Sequence, residues 1–196
     1  MSTAPLARAT HAFTEALATH RAVAEGPLAE QVVEAAAILI RALRSGGTVY
    51  WVGNGGSAAD AQHLAAELVG RFHHDRPPLR SHALTVNTST LTALVNDYPP
   101  EQVFARQARA YCGPNDVLVG ISTSGNSANI VEALAAARGN GCATIALTGG
   151  SGGRVTAHAD LVLRAPSLLT PRVQEVHILL GHTICELVEA ELHPQA

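Results

Sequence analysis

The spacing of hydrophobic and polar residues changes character once along the chain, near residue 46. From 4 to 25 the pattern is Ala-rich and helical, with Phe13, Leu17 and Ala24 able to share one stripe. Gly26-Pro27 breaks it, and a second helical run covers 28–44 before Ser45-Gly46-Gly47 closes it. Beyond that point short apolar, β-branched runs alternate with helical ones. The strand candidates are 48–53, 83–86, 116–121, 143–147 and 161–163. They are apolar on both faces, as strands of a covered parallel sheet are. Helical patterns occupy 58–69, 101–111, 128–138 and, briefly, 154–157, and a long amphipathic run from 171 to 192 opens with Pro171 in its first turn. This alternation predicts a three-layer α/β fold, a doubly wound five-stranded parallel sheet in the order 2-1-3-4-5, preceded by two helices. The expected organisation is a single domain, 1–196, with an N-terminal helical layer at 1–45 and the sheet core with its long C-terminal helix at 46–196.

Composition narrows the class of protein. A chain of 196 residues that is 47% hydrophobic and 15% charged can bury a substantial core, and with only 4% aromatics that core is aliphatic. A net charge of −3 gives no electrostatic reason to expect nucleic acid as a partner. No apolar run approaches the roughly 20 residues of a membrane span, so no membrane association is expected. No basic and apolar leader pattern opens the chain. Cys112, Cys142 and Cys185 lie far apart without metal-ligand spacing, and they read as buried thiols of a cytoplasmic protein.

Two polar loops follow alternate strands. The first strand runs into Gly53-Asn54-Gly55-Gly56-Ser57, the third into Ser122-Thr123-Ser124-Gly125-Asn126-Ser127, and each leads directly into a helix. In the predicted strand order these strands are neighbours, so both loops meet at the switch point where ligands bind. Glycines let backbone N–H groups approach an anion at a helix N-terminus, and the serine and threonine hydroxyls add donors without bulk. Such loops suit the phosphate of a polyol. No lysine follows the glycines and neither loop reads G-x-G-x-x-G, so neither a Walker A loop nor a dinucleotide fingerprint is present. Alternatively the loops simply cap helices, with Ser57 and Ser127 as N-caps.

On the helix after the first strand, His63 and Glu67 are four apart and share a face, where they can converge on one ion. On the last helix, Gln174 and His182 are eight apart, about 12 Å along the axis and about 80° around it. One metal could be shared only if Gln174 leans forward and His182 leans back, each side chain spanning roughly half the distance. His20, His73, His74, His177 and His193 read as structural or solvated, and Glu175 and Glu186 as solvated or ion-paired.

The segments GNGGSAADAQHLAAELVGRF (53–72), GISTSGNSANI (120–130) and PRVQEVHILLGHTICELVE (171–189), in this order and spacing, resemble the signature segments of the phosphoheptose isomerases of the SIS (sugar isomerase) superfamily. Asn96-Asp97 fits the same pattern. The resemblance extends from about 13 to 189. It implies a ketose–aldose isomerase that converts D-sedoheptulose 7-phosphate to D-glycero-D-manno-heptose 7-phosphate through an enediol or enediolate. It implies Zn²⁺ held by His63, Glu67, Gln174 and His182, with Glu67 as base and His182 as acid. Substrate contacts are expected from Asn54, Gly55, Gly56, Ser57, Glu67, Asn96, Asp97, Ser122, Thr123, Ser124, Ser127 and Gln174. It also implies a homotetramer with sites at subunit interfaces. The two helices ahead of the sheet suit that assembly, and the offset of Gln174 from His182 eases if the last helix meets a neighbour's zinc-bearing helix.

One departure concerns substrate preference. Some family members carry an acidic residue where this chain has Pro171. Two other functions remain open: a non-catalytic SIS protein that binds a replication-initiation partner, and an isomerase of another sugar phosphate. The first is disfavoured by Glu67 and His182, which that relative lacks.

Overall fold

The computed structural model describes residues 3–194. Two helices, α1 (Thr3–Glu25) and α2 (Leu28–Arg44), come first. The chain then runs β1 (Val49–Gly53), α3 (Gly56–Val69), β2 (Ser81–Ala83), α4 (Thr88–Asp97), α5 (Gln102–Tyr111), β3 (Val117–Ser122), α6 (Ala128–Gly139) and β4 (Ala143–Thr148). A 3-10 turn (Arg154–His158), β5 (Leu161–Arg164) and α7 (Thr170–Leu192) complete it. All strand pairs are parallel and the order is β2-β1-β3-β4-β5, as the pattern predicts.

The sheet separates two aliphatic cores, because successive side chains on a strand face opposite ways. Val117, Val119 and Ile121 point to the side covered by α2, α3 and α7, whereas Leu118 points to the side covered by α5 and α6. On α2 the stripe Val32, Ala35, Ala36, Leu39 and Ala42 is buried, the i, i+3, i+4, i+7 repeat of a helix that covers a sheet. The cysteines are buried and unpaired. Among the described residues, no helix is long and apolar enough to cross a membrane.

Three local features differ from the pattern. The second strand lies at Ser81–Ala83 rather than 83–86. Ser81 anchors it early, accepting a hydrogen bond from Trp51 Nε1 at 2.9 Å and donating to the Val49 carbonyl at 3.2 Å. Asn87 then caps α4, accepting from Thr90 N–H at 3.0 Å, and 84–85 form the turn that leads to it. Helix α4 itself is unexpected, since its Thr-rich sequence has poor helix propensity. Finally, the α1 stripe does not reach the core: Phe13 is 74% and Leu17 65% exposed.

Helices α3 and α7 run side by side on one face of the sheet, and a buried ion pair ties their far ends. Arg76, in the segment after α3, donates from Nε to Glu189 of α7 at 2.9 Å, with both side chains 1% exposed. Glu189 also accepts the backbone N–H groups of Phe72 at 2.8 Å and His73 at 2.7 Å. Burial alone would raise the Glu189 pKa, but the N–H groups of Phe72, His73 and His74 and the Arg76 guanidinium lower it to about 2. The ordinary value, and hence that of the unfolded chain, is near 4.5. This carboxylate therefore contributes stability that is fully present above pH 4.5 and is lost as pH falls through 2, at most about 3 kcal/mol. Chemical denaturation between pH 6 and pH 2.5 should show this loss. Glu189→Gln should be less stable than wild type at pH 6, because it strands a buried Arg76, and should lose less on acidification. Parallel pH curves for the two proteins would count against this assignment.

Candidate active site

The C-terminal ends of β1 and β3 lie together, with Gly53 opposite Ile121. Both polar loops therefore open at one place, in front of the N-termini of α3 and α6. Asn54 and Asn129 bridge them by two reciprocal amide hydrogen bonds of 2.9 Å. Ser122 Oγ donates to Ser127 Oγ at 3.0 Å, and Ser124 Oγ accepts from Asn126 N–H at 3.1 Å. Asn126 Oδ1 accepts the N–H of Arg154 at 3.1 Å, which draws the loop before β5 into the same wall.

The alternative of simple helix capping does not describe the loops. Gly55, not Ser57, occupies the N-cap of α3, and Ser57 sits buried in the first turn. Ser127 does hold the N-cap of α6, but its side chain caps no backbone N–H. Its hydroxyl engages Ser122 instead. The first N–H groups of both helices have no side-chain cap, the condition for binding an anion there.

His63 and Glu67 stand one turn apart on α3, and His182 of α7 comes to them. His63 Nε2 lies 2.8 Å from His182 Nε2 and 3.3 Å from Glu67 Oε1. One ligand atom from each residue falls within 4.8 Å of the others, a group that could hold a metal ion. Two imidazole nitrogens and a carboxylate oxygen suit a borderline cation such as zinc. His182 reaches the α3 of its own chain, so the trio needs no residue from a neighbour.

Glycine makes this approach possible. A Cβ on Gly181 would stand 2.5 Å from Leu64 Cδ1, so with any other residue here Leu64 or the helix would have to shift for α7 to lie this close to α3 beside His63. Gly56 plays the same part at the start of α3, where its missing Cβ is replaced by the Gln174 amide, 2.5 Å from Nε2. Gln174 therefore meets α3 in its first turn, two turns before His63. No hydrogen bond joins it to the trio among the described residues.

The remaining candidates fall in different places. Thr123 is half-buried, and its carbonyl accepts from Gly149 N–H at 3.0 Å. Asn96 and Asp97 are exposed at the end of α4 and bond to each other at 2.7 Å, with no hydrogen bond to either loop. His177 is fully buried; burial pushes its pKa down to about 4 against the Thr148 backbone, so it is neutral near pH 7. Glu186 faces His73 at 3.7 Å, and Glu175 is bonded to Arg172. Arg172 also donates to the Ala12 carbonyl at 2.6 Å, which ties α1 to the start of α7.

Pattern reading passed over Asp60 and Asn129. Asp60 lies three residues before His63, on the same face, with a buried and unpartnered Oδ2. Burial raises its pKa, with the His63 and His182 rings opposing. Its i, i+3, i+7 spacing with His63 and Glu67 was a usable signal. Asn129 lies within the second signature segment, but nothing in the sequence pairs it with Asn54.

A family profile for the SIS domain matches residues 10–149. The phosphoheptose isomerase of Rhodospirillum rubrum is 53% identical over 167 residues, 85% of this chain and 89% of that protein. That of Aquifex aeolicus is 55% identical over 161 residues, 82% and 84% of the two chains. The solved phosphoheptose isomerase GmhA from Neisseria gonorrhoeae superposes with a TM-score of 0.89 at 43% identity, covering 94% of this chain and 98% of its own. The chain belongs to the phosphoheptose isomerase family. Its fold is the SIS fold of that family, and the two loops and the trio lie on the segments that carried the resemblance.

If the Gly181 contact sets how closely α7 approaches α3 in this family member, Gly181→Val should overpack against Leu64. The expected cost is about 1–3 kcal/mol, read from urea denaturation. An unchanged midpoint would show that Leu64 has room to move.

Proposed function

We propose that this protein is a ketose–aldose isomerase that interconverts D-sedoheptulose 7-phosphate and D-glycero-D-manno-heptose 7-phosphate. The observation that carries this reading is the convergence of Glu67, His63 and His182 beside two uncapped, hydroxyl-lined helix N-termini. The names of the relatives supply the substrate class.

The phosphate sits on the backbone N–H groups opening α3 and α6, with hydroxyls from Ser57, Ser122, Thr123, Ser124 and Ser127, and with Asn54, Gly55 and Gly56 shaping the cradle. Asn96, Asp97 and Gln174 are assigned to the polyol chain. Glu67, whose side chain is 21% exposed, takes the proton from the carbon next to the carbonyl and returns it to the neighbouring carbon. His182 serves as the acid that moves protons on oxygen, including in ring opening. His63, Glu67 and His182 would hold Zn²⁺, which when bound polarises the substrate carbonyl, and Gln174 would join them as a fourth ligand by swinging its amide away from Gly56. Pro171 places no carboxylate at the start of α7, so the substrate is held there without one.

Assay with sedoheptulose 7-phosphate tests the reading. Glu67→Gln keeps the side-chain shape and should lower kcat by about 10²-fold or more. Ser124→Ala should raise KM several-fold while sparing zinc, consistent with about 0.5–1.5 kcal/mol for one hydroxyl. Near wild-type kcat in Glu67→Gln would remove this residue from the mechanism. Wild-type turnover after complete chelation would remove the metal.

The exposed Phe13 and Leu17 of α1, and the apolar groove lined by Val23, Leu28, Val32, Leu179 and Leu187, support a homotetramer with sites near subunit boundaries. Sedimentation should give a tetramer in wild type and smaller species for Phe13→Glu. A fully active monomer would overturn the assembly.

A further inference from the structure

Glu67 and His182 belong to different helices, so their spacing depends on whatever fixes α3 against α7. The buried Arg76–Glu189 pair reaches the trio by two routes, directly at the Glu67 backbone and through Phe72 at His182. From one side, Arg76 Nη2 donates to the Glu67 carbonyl at 2.9 Å, and Nη1 donates to the carbonyls of Leu68 at 2.8 Å and Gly70 at 3.3 Å. These lie in the last turn of α3 and just beyond it, where carbonyls have no intrahelical partner, and a cation there also favours the helix dipole. From the other side, Glu189 lies two turns after His182 on α7 and holds the N–H groups of Phe72 and His73. This sets the Phe72 ring, whose centroid is 5.7 Å from that of His182 and 4.5 Å from that of His73.

We propose that Arg76 and Glu189 are positioning residues for the Glu67–His182 pair. Arg76 fixes the backbone of Glu67, and Glu189, through Phe72, fixes the ring of His182. A buried ion pair is a poor device for stability alone, since an apolar pair of similar volume is often as stable. The partners of this one include the backbone of Glu67 itself and that of Phe72, whose ring lies against His182. A guanidinium is needed because its rigid fork reaches several carbonyls at once, which a lysine ammonium does not. The proposal rests on the roles given above to Glu67 and His182.

Three variants test it: Arg76→Lys, which keeps the charge and loses the fork; Glu189→Gln, which keeps the shape and loses the charge; and Phe72→Leu, which leaves the ion pair intact. Cobalt-substituted protein reports ligand geometry in its visible absorption bands without turnover. In each variant that folds, these bands should shift and zinc binding should weaken about 10–100-fold. Turnover should fall by a similar factor while KM stays within about twofold, because the phosphate cradle is untouched. Wild-type bands, zinc affinity and kcat in folded Arg76→Lys and Phe72→Leu, with only a lowered melting temperature, would overturn the proposal. Should Arg76→Lys and Glu189→Gln fail to fold, Phe72→Leu decides alone, with wild-type values overturning it. A wild-type protein that binds neither zinc nor cobalt would instead remove the metal reading of the trio. The split between kcat and KM would still decide the positioning role.

Discussion

The close contact of α7 with α3 governs the rest of the site. His63 and Glu67 are fixed to one another by a single helical turn, but His182 comes from the far end of the sequence, and only helix packing brings it to 2.8 Å from His63. Leu64 fills the space left by Gly181 one residue away, and Cys185 packs against the Leu64 carbonyl one turn later. At the near end the Gln174 amide lies on Gly56, and at the far end Glu189 receives the segment that follows α3. The two helices are thus held at three levels, and the trio lies between the outer two.

The cradle depends on a different constraint, the topology of the sheet. In a parallel sheet of this order, the ends of β1 and β3 are adjacent while their chain connections leave in opposite directions. Two loops then face one another without competing for space, and two helix N-termini point at the same volume. The Asn54–Asn129 pair joins the loops, so the cradle is shaped before any substrate arrives. Preorganised donors of this kind need little rearrangement at the moment of binding. The cradle and the trio share one short helix: α3 opens one of the two polar loops at its N-terminus and carries His63 and Glu67 on its later turns, and under the proposed function the first would meet the anion and the second the reacting carbons.

Much of this was legible in the sequence, because it is local. Short apolar runs with glycine and serine at their ends announce strand–loop–helix junctions, and the i, i+4 spacing of His63 and Glu67 declares a shared face. Alternation and handedness gave the layered parallel fold, and the order 2-1-3-4-5 was the doubly wound order that five strands suit. What escaped reading is non-local or depends on weak propensity. Helix α4 is poor in strong helix formers, and its Asn87 cap was the only clue. The second strand starts early because Trp51, on another strand, bonds Ser81. Arg76 and Glu189 look like ordinary charged surface residues in sequence and are paired only by the fold. The offset between Gln174 and His182 suggested help from a neighbouring chain, whereas α7 lies along α3 of its own chain and meets it at both residues.

The central claim is that Glu67 moves the proton on the sugar. Incubation of the protein with sedoheptulose 7-phosphate in deuterium oxide, followed by NMR, reads this directly at C1 of the ketose and C2 of the aldose. The account predicts deuterium entering those positions with wild-type protein, and entry slowed by about 10²-fold or more in Glu67→Gln that still binds the substrate. Exchange at the wild-type rate in Glu67→Gln would contradict it.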